Sequence, residues 1–169
     1  MNIALIGMPG AGKTFVGKRL ATHLGYTFID PDKILETEYE KPLQDMLNEL
    51  GETEFLAREW KTTTVATRGR NRCVISTGGS IVYSEEAMDY LADISFIIYL
   101  SVAVETLHAR IGDAPRGVVG AGTKSLEELF RERDPLYRKW ANAVVNADRE
   151  PDAVLTDILA RIEESSGAH

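Results

Sequence analysis

An apolar run that passes straight into a glycine-rich loop, "NIALIGMPGAGKT" (residues 2–14), constrains this chain more than any other feature. The loop matches G-x-x-x-x-G-K-[ST] at Gly7, Gly12, Lys13 and Thr14. Its glycines let the backbone turn tightly around a polyphosphate. The N–H groups of Gly10, Ala11, Gly12, Lys13, Thr14 and Phe15 are then expected to face the phosphate oxygens, backed by the positive end of the following helix. Lys13 is expected to reach the β- and γ-phosphates and the Thr14 hydroxyl to ligate Mg²⁺. The bland alternative is an ordinary glycine-rich turn. Average residue frequencies put an accidental match on the order of one chain in a few hundred, and the strand–loop–helix context lowers that further. The feature predicts a nucleoside triphosphate as ligand.

The rest of the chain repeats this alternation of apolar run and helix. Short apolar runs recur at "YTFI", "RCVIST", "SFIIYL" and "NAVVN", a length and composition suited to strands buried in a parallel sheet. Between them lie helical patterns. Val16, Leu20 and Leu24 recur at four-residue spacing before Gly25, and Val154, Ile158 and Ile162 do so after Pro151. Ser125 and Glu128 form a capping-box pattern. Strands alternating with helices predict a three-layer, doubly wound α/β fold: a five-stranded parallel sheet with helices on both faces. Ligands of such sheets bind outside the carboxyl ends of the strands. The loops after Gly7, Ile29 and Ser76, and the glycine-bearing loop between Arg110 and Ser125, are therefore the ones to watch.

At 169 residues the chain reads as one domain, residues 1–169, long enough to bury about 70% of its unfolded surface. A net charge of −7 argues against a general nucleic-acid or anionic-membrane binder. Any anionic ligand must then meet a local cluster of cations. The single cysteine, Cys73, rules out an internal disulfide. No run approaches the roughly 18–20 apolar residues of a membrane span, and the start of the chain reads as a strand rather than a signal peptide. The expectation is a cytoplasmic monomer.

"FIDPDK" places two acids at the end of the second run. Proteins with this phosphate loop usually hold magnesium with a second carboxylate at a neighbouring strand end, and "RCVIST" offers none. By elimination Asp30 is the candidate for organising Mg²⁺. It also suits an N-cap, with Pro31 at the first helical position; a capping carboxylate still has a free oxygen. Asp32 can accept a hydrogen bond, or the proton, from a hydroxyl. Paired carboxylates beside the γ-phosphate repel an anionic group and welcome an alcohol, so the acceptor is read as a small polyhydroxy metabolite.

With these residues in view, the chain resembles the shikimate kinase family from the phosphate loop almost to the last helix. "GMPGAGKT" and "FIDPDKILE" are similar to that family's phosphate loop and Asp-x-Asp segment. "STGGS" resembles its glycine triplet, with Gly78 and Gly79 kept and Ser80 third. "RDPLYRKWA" resembles its Arg-x-Pro-Leu-Tyr motif. The resemblance implies transfer of the γ-phosphate of ATP, with Mg²⁺, to a hydroxyl of shikimate, giving shikimate 3-phosphate. It implies that Asp32, Gly78, Gly79 and Arg133 bind the acceptor, Arg133 through its carboxylate. It also implies a mobile lid over about 111–124 whose Arg116 covers the transferring phosphate, and Arg110 and Arg149 flanking adenine. An acceptor-binding helical segment is expected over about 31–62.

One position departs from the pattern. Within "GETEFLARE", Leu56 stands where the family carries a second arginine for the acceptor carboxylate. Arg58 lies two residues on, about 200° round a helix, and would have to wrap round to replace it. Two further readings stay open: a relative acting on another polyol or hydroxy acid, and a nucleotide-binding switch without transfer. His23, His108, Trp60 and Trp140 read as surface or packing residues, and Cys73 as core.

Overall fold

The opening apolar run is the central strand of the sheet. The computed structural model describes residues 1–111 and 117–167. Strand β1 (Asn2–Ile6) is buried along its whole length, as a strand covered on both faces must be. Helix α1 (Lys13–Leu24) follows, then β2 (Thr27–Ile29), α2 (Pro31–Tyr39) and α3 (Leu43–Thr67). Next come β3 (Cys73–Ser76), a 3₁₀ turn (Ile81–Tyr83), α4 (Glu85–Ile94) and β4 (Ser95–Ser101). The chain ends with α5 (Val104–Ile111), α6 (Leu126–Trp140), β5 (Ala143–Asn146) and α7 (Pro151–Ser166). The strands lie in the order β2-β3-β1-β4-β5, and every neighbouring pair is parallel.

This order creates the place for a ligand. From β1 the chain crosses by α1 toward the β2 edge; from β3 it crosses by α4 toward β4. The crossovers on either side of the β1–β3 boundary thus leave in opposite directions, which opens a crevice at the carboxyl ends of those strands. The register aligns those ends: Leu5 lies opposite Ser76, and Ile29 opposite Ile75. Thr77 ties them together, its amide and hydroxyl donating to the Leu5 carbonyl at 3.2 and 3.0 Å. Asn2 pins the other end, accepting from the Cys73 amide and donating to the Arg70 carbonyl, both at 3.0 Å.

The main core fills the space between sheet and helices, with Ile3 to Ile6 of β1 and Ile97 to Leu100 of β4 at its centre. A smaller apolar cluster, Leu35, Met46, Phe55 and Val119, joins α2 and α3 to the segment after residue 116. Leu56 and Tyr83 pack against it. The capping box at Ser125 and Glu128 forms as the sequence indicates, and Pro151 opens α7.

Candidate active site

A cavity of about 410 Å³ opens at the β1–β3 crevice. The phosphate loop forms one wall and the start of α2 another. The turn after β3, Phe55 and Glu59 of α3, residues 117–119 and Arg133 complete it. Gly10, Gly12, Lys13, Thr14, Phe15, Asp30, Asp32, Gly78, Gly79 and Arg133 all line this one space. Ala11 is buried within the loop behind it.

The phosphate loop reaches the helix through Gly12, whose φ of 91° lies in the left-handed region that a side chain disfavours. Lys13 is folded over its own loop, donating to the carbonyls of Gly7 at 2.7 Å and Met8 at 2.9 Å. Two of three ammonium protons are thereby used, which fixes the head group and leaves one for a ligand. Burial holds this ammonium down at about 8, against the upward pull of Asp32.

Asp30 serves two ends at once. One oxygen, Oδ1, caps α2 by accepting from the Lys33 amide at 3.1 Å; the other, Oδ2, accepts from the Thr14 hydroxyl at 3.2 Å. Thr14 is in turn 3.3 Å from the Ser76 hydroxyl. Hydroxyl and carboxylate oxygens are the hard donors that suit Mg²⁺. Among the described residues, no cluster of three or more His, Cys, Asp or Glu could hold a metal alone. The donor set therefore fits an ion that keeps few protein ligands and is otherwise held by phosphates and water, as Mg²⁺ characteristically is.

Asp32 faces the cavity, and its Oδ1 is buried without a hydrogen-bond partner among the described residues. Such an orphan costs about 1–3 kcal/mol and awaits a donor. Burial, then the neighbouring Asp30 charge, pushes the Asp32 carboxyl up, while Lys13 draws it back. Opposite stands Glu59, 2% exposed, whose Oε2 accepts from the Ser80 hydroxyl at 2.8 Å. Burial, then Asp32, pushes Glu59 up as well. Gly78 lies between the two acids: a Cβ there would stand 1.8 Å from Glu59 Oε1 and 3.0 Å from Asp32 Oδ1. Only glycine leaves both oxygens where they are.

Arg133 is fully buried on α6. Its Nε donates to the Tyr83 hydroxyl at 3.0 Å and its Nη2 to the Val119 carbonyl at 2.6 Å. A Cβ on Gly79 would come within 3.1 Å of Nη1, so the missing side chain leaves room beside that nitrogen, and Arg133 lines the cavity. Residues 117–120 are docked on α3: the Gly117 amide donates to Gln44 Oε1 at 2.9 Å and the Gly120 amide to Glu52 Oε1 at 2.8 Å.

The remaining expected residues lie elsewhere. Arg110 spans the phosphate loop and the end of β5, donating at 3.3 Å to the carbonyls of Gly10 and Ala147. Arg149 donates to Asp157 at 2.6 Å and to the Asn146 carbonyl at 3.2 Å. Neither lines the cavity. Arg116 lies outside the described residues. Arg58 turns away from the cavity to pair with Glu54 at 2.9 Å and with the Tyr39 hydroxyl, so it does not fill the place of the arginine absent at Leu56. His108 meets Glu127 at 2.6 Å, Trp60 packs edge-on to Tyr90, and Cys73 is core.

Reading the sequence by motif matched Glu59 and Ser80 to the family's patterns without giving either a role, and passed over Tyr83. Glu59 had a signal: it follows the apolar Phe55 by four residues and so shares its buried helix face. Ser80 and Tyr83 had none, because their partners are 21 and 50 residues away in the chain.

Known proteins resemble this chain along nearly its whole length. The shikimate kinase family model matches residues 9–163. A shikimate kinase of Corynebacterium jeikeium is 34% identical over 171 residues, spanning 95% of this chain and 87% of that protein. One from Persephonella marina is 33% identical over 162 residues, spanning 95% and 98%. The solved structure of a shikimate kinase from Acinetobacter baumannii in complex with shikimate superposes with a TM-score of 0.88 at 30% identity, covering 97% of this chain and 93% of the other. The chain belongs to the shikimate kinase family.

Proposed function

We propose that this phosphotransferase moves the γ-phosphate of ATP to a hydroxyl of shikimate, giving shikimate 3-phosphate and ADP. The observation that carries the reading is the orphan Oδ1 of Asp32, buried in the same cavity as the phosphate loop and Arg133. A carboxylate oxygen without a donor calls for a hydroxyl. The cationic group at the far end calls for an acceptor that also carries a negative charge. Shikimate has both.

On this reading the amides of Gly10 to Phe15 cradle the phosphates, and the free proton of Lys13 meets the transferring group. Asp32 accepts the hydrogen bond of the acceptor hydroxyl, holds its oxygen in line with the γ-phosphorus, and takes its proton as the new P–O bond forms and the bond to ADP breaks. Thr14 and Asp30 would hold Mg²⁺, which when bound offsets charge on the phosphate oxygens. Arg133 binds the acceptor carboxylate. Gly78 and Gly79 let it lie against the turn after β3. Arg116 would close over the transferring phosphate, and Arg110 and Arg149 would flank the adenine.

The test is ADP release with MgATP and a panel of hydroxylated acids. Shikimate should stimulate turnover most. Asp32→Asn, which keeps the shape and removes the base, should lower shikimate-dependent kcat by about 10²–10⁴-fold while nucleotide binding persists. Release unaffected by shikimate, or an undiminished Asn variant, contradicts the reading.

A further inference from the structure

We propose that Tyr83 is the positioning residue for carboxylate recognition, orienting Arg133, the one arginine that lines the cavity among the described residues. The inference rests on the proposed function and adds a specificity determinant to it.

Arg133 is a long side chain with five donors, and a carboxylate is best held when the guanidinium plane is fixed beforehand. Three contacts fix it here. Tyr83 accepts from Nε at 3.0 Å and lies under the guanidinium, 4.9 Å from ring centre to Cζ; the Val119 carbonyl takes Nη2 at 2.6 Å. Nη1 lies beside Gly79, Tyr137 of the same helix is a further hydrogen-bond partner of the guanidinium, and Arg133 lines the cavity.

The direction of the Tyr83 bond is itself fixed. The phenol has one proton, which it donates to Glu132 Oε1 at 2.6 Å. Its lone pairs are then all that Arg133 Nε can meet. Lys124 holds the other oxygen of Glu132 at 2.5 Å. Lys124, Glu132, Tyr83 and Arg133 thus form one relay from the surface to a buried cation.

Tyr83 and Leu56 share a neighbourhood, both packing against Leu35, Met46, Phe55 and Val119. Leu56 offers no charge there, and the tyrosine packs against the same apolar cluster. Arg58, the nearest alternative cation in sequence, is committed to Glu54 and Tyr39. Among the described residues, recognition of the acceptor's charge therefore falls on one guanidinium, and holding that one in place matters correspondingly more. Tyr83 follows directly from the Ser76–Ser80 turn that lines the cavity.

Tyr83→Phe keeps the ring and its packing and deletes only the hydroxyl. It should raise KM for shikimate by roughly tenfold, leave KM for ATP unchanged, and change kcat little. With the neutral carboxamide of shikimate as acceptor, wild type and variant should have the same KM. An unchanged KM for shikimate overturns the proposal, as does an equal rise for both acceptors, which is what a merely structural disturbance produces. A readout independent of activity is exchange of the Arg133 Nε–H with solvent, followed by ¹⁵N-edited NMR. It should be slow in the wild type and fast in Tyr83→Phe; equal rates overturn the proposal. Should wild type fail to phosphorylate shikimate, the functional reading falls, while this exchange comparison still decides whether Tyr83 positions Arg133.

Discussion

Two buried carboxyl groups that converge on one glycine cannot both carry charge at low cost, and Asp32 and Glu59 converge on Gly78. Glu59 has the deeper burial and keeps the proton; its carboxyl is pushed from the usual range up to about 8, by burial first and Asp32 second. The consequence for stability has a definite sign. Between the unfolded value of 4.5 and the folded value of about 8, the native state binds more protons than the unfolded chain. Stability contributed by this group is therefore full at low pH and lost as pH rises through that window. Glu59→Gln, which cannot ionise, should flatten the fall in melting temperature between about pH 6 and 8. A scan in which wild type and variant fall in parallel would refute the assignment. Asp30 shows a related economy: a cap and a candidate site residue were both legible in "FIDPDK", and one oxygen caps α2 while the other accepts from the Thr14 hydroxyl.

Among the elements, α3 is the informative one. It breaks at Gly51, where φ 75° and ψ 168° lie in a region nearly closed to side chains. The break turns the first part of α3 so that Gln44 and Glu52 both receive amides from residues 117–120. Gly51→Ala should destabilise the fold by about 1–3 kcal/mol, read as a lower midpoint in urea, although a Cβ there would meet no atom within 4 Å. A variant of unchanged stability would show that the break is not held by backbone preference. The strands were readable because buried parallel strands are continuous apolar runs, and α7 because Pro151 and its four-residue spacing mark it. The break was not readable: a glycine within "NELGETEF" signals a stop, a kink or nothing, and only the contacts of residues 117–120, about 70 positions away, choose among them. The geometry of Arg58 was half readable. Helical spacing says that it leaves the face of Leu56, but only the structure shows Glu54 and Tyr39 receiving it.

Taken across the full chain, an acidic protein of net charge −7 gathers Lys13 and Arg133 into one cavity. The strand order 2-3-1-4-5 achieves this, since it brings the ends of β1, β2 and β3 side by side although they are far apart in sequence. The motifs named the parts of the site because phosphate binding demands a nearly fixed local sequence. Of the supporting partners, Glu59 is marked by its four-residue spacing from Phe55, whereas Ser80 and Tyr83 answer to long-range packing that no short spacing records. The proposed function reduces to one event: a phosphate held at Lys13 and an alcohol held at Asp32 would react in this cavity. ³¹P NMR of the protein with MgATP and shikimate observes that event itself. The γ-phosphate resonance should decline as a phosphomonoester signal, split by a single carbinol proton, grows in equal measure. Growth of free inorganic phosphate alone, or an unchanged ATP spectrum, would contradict it.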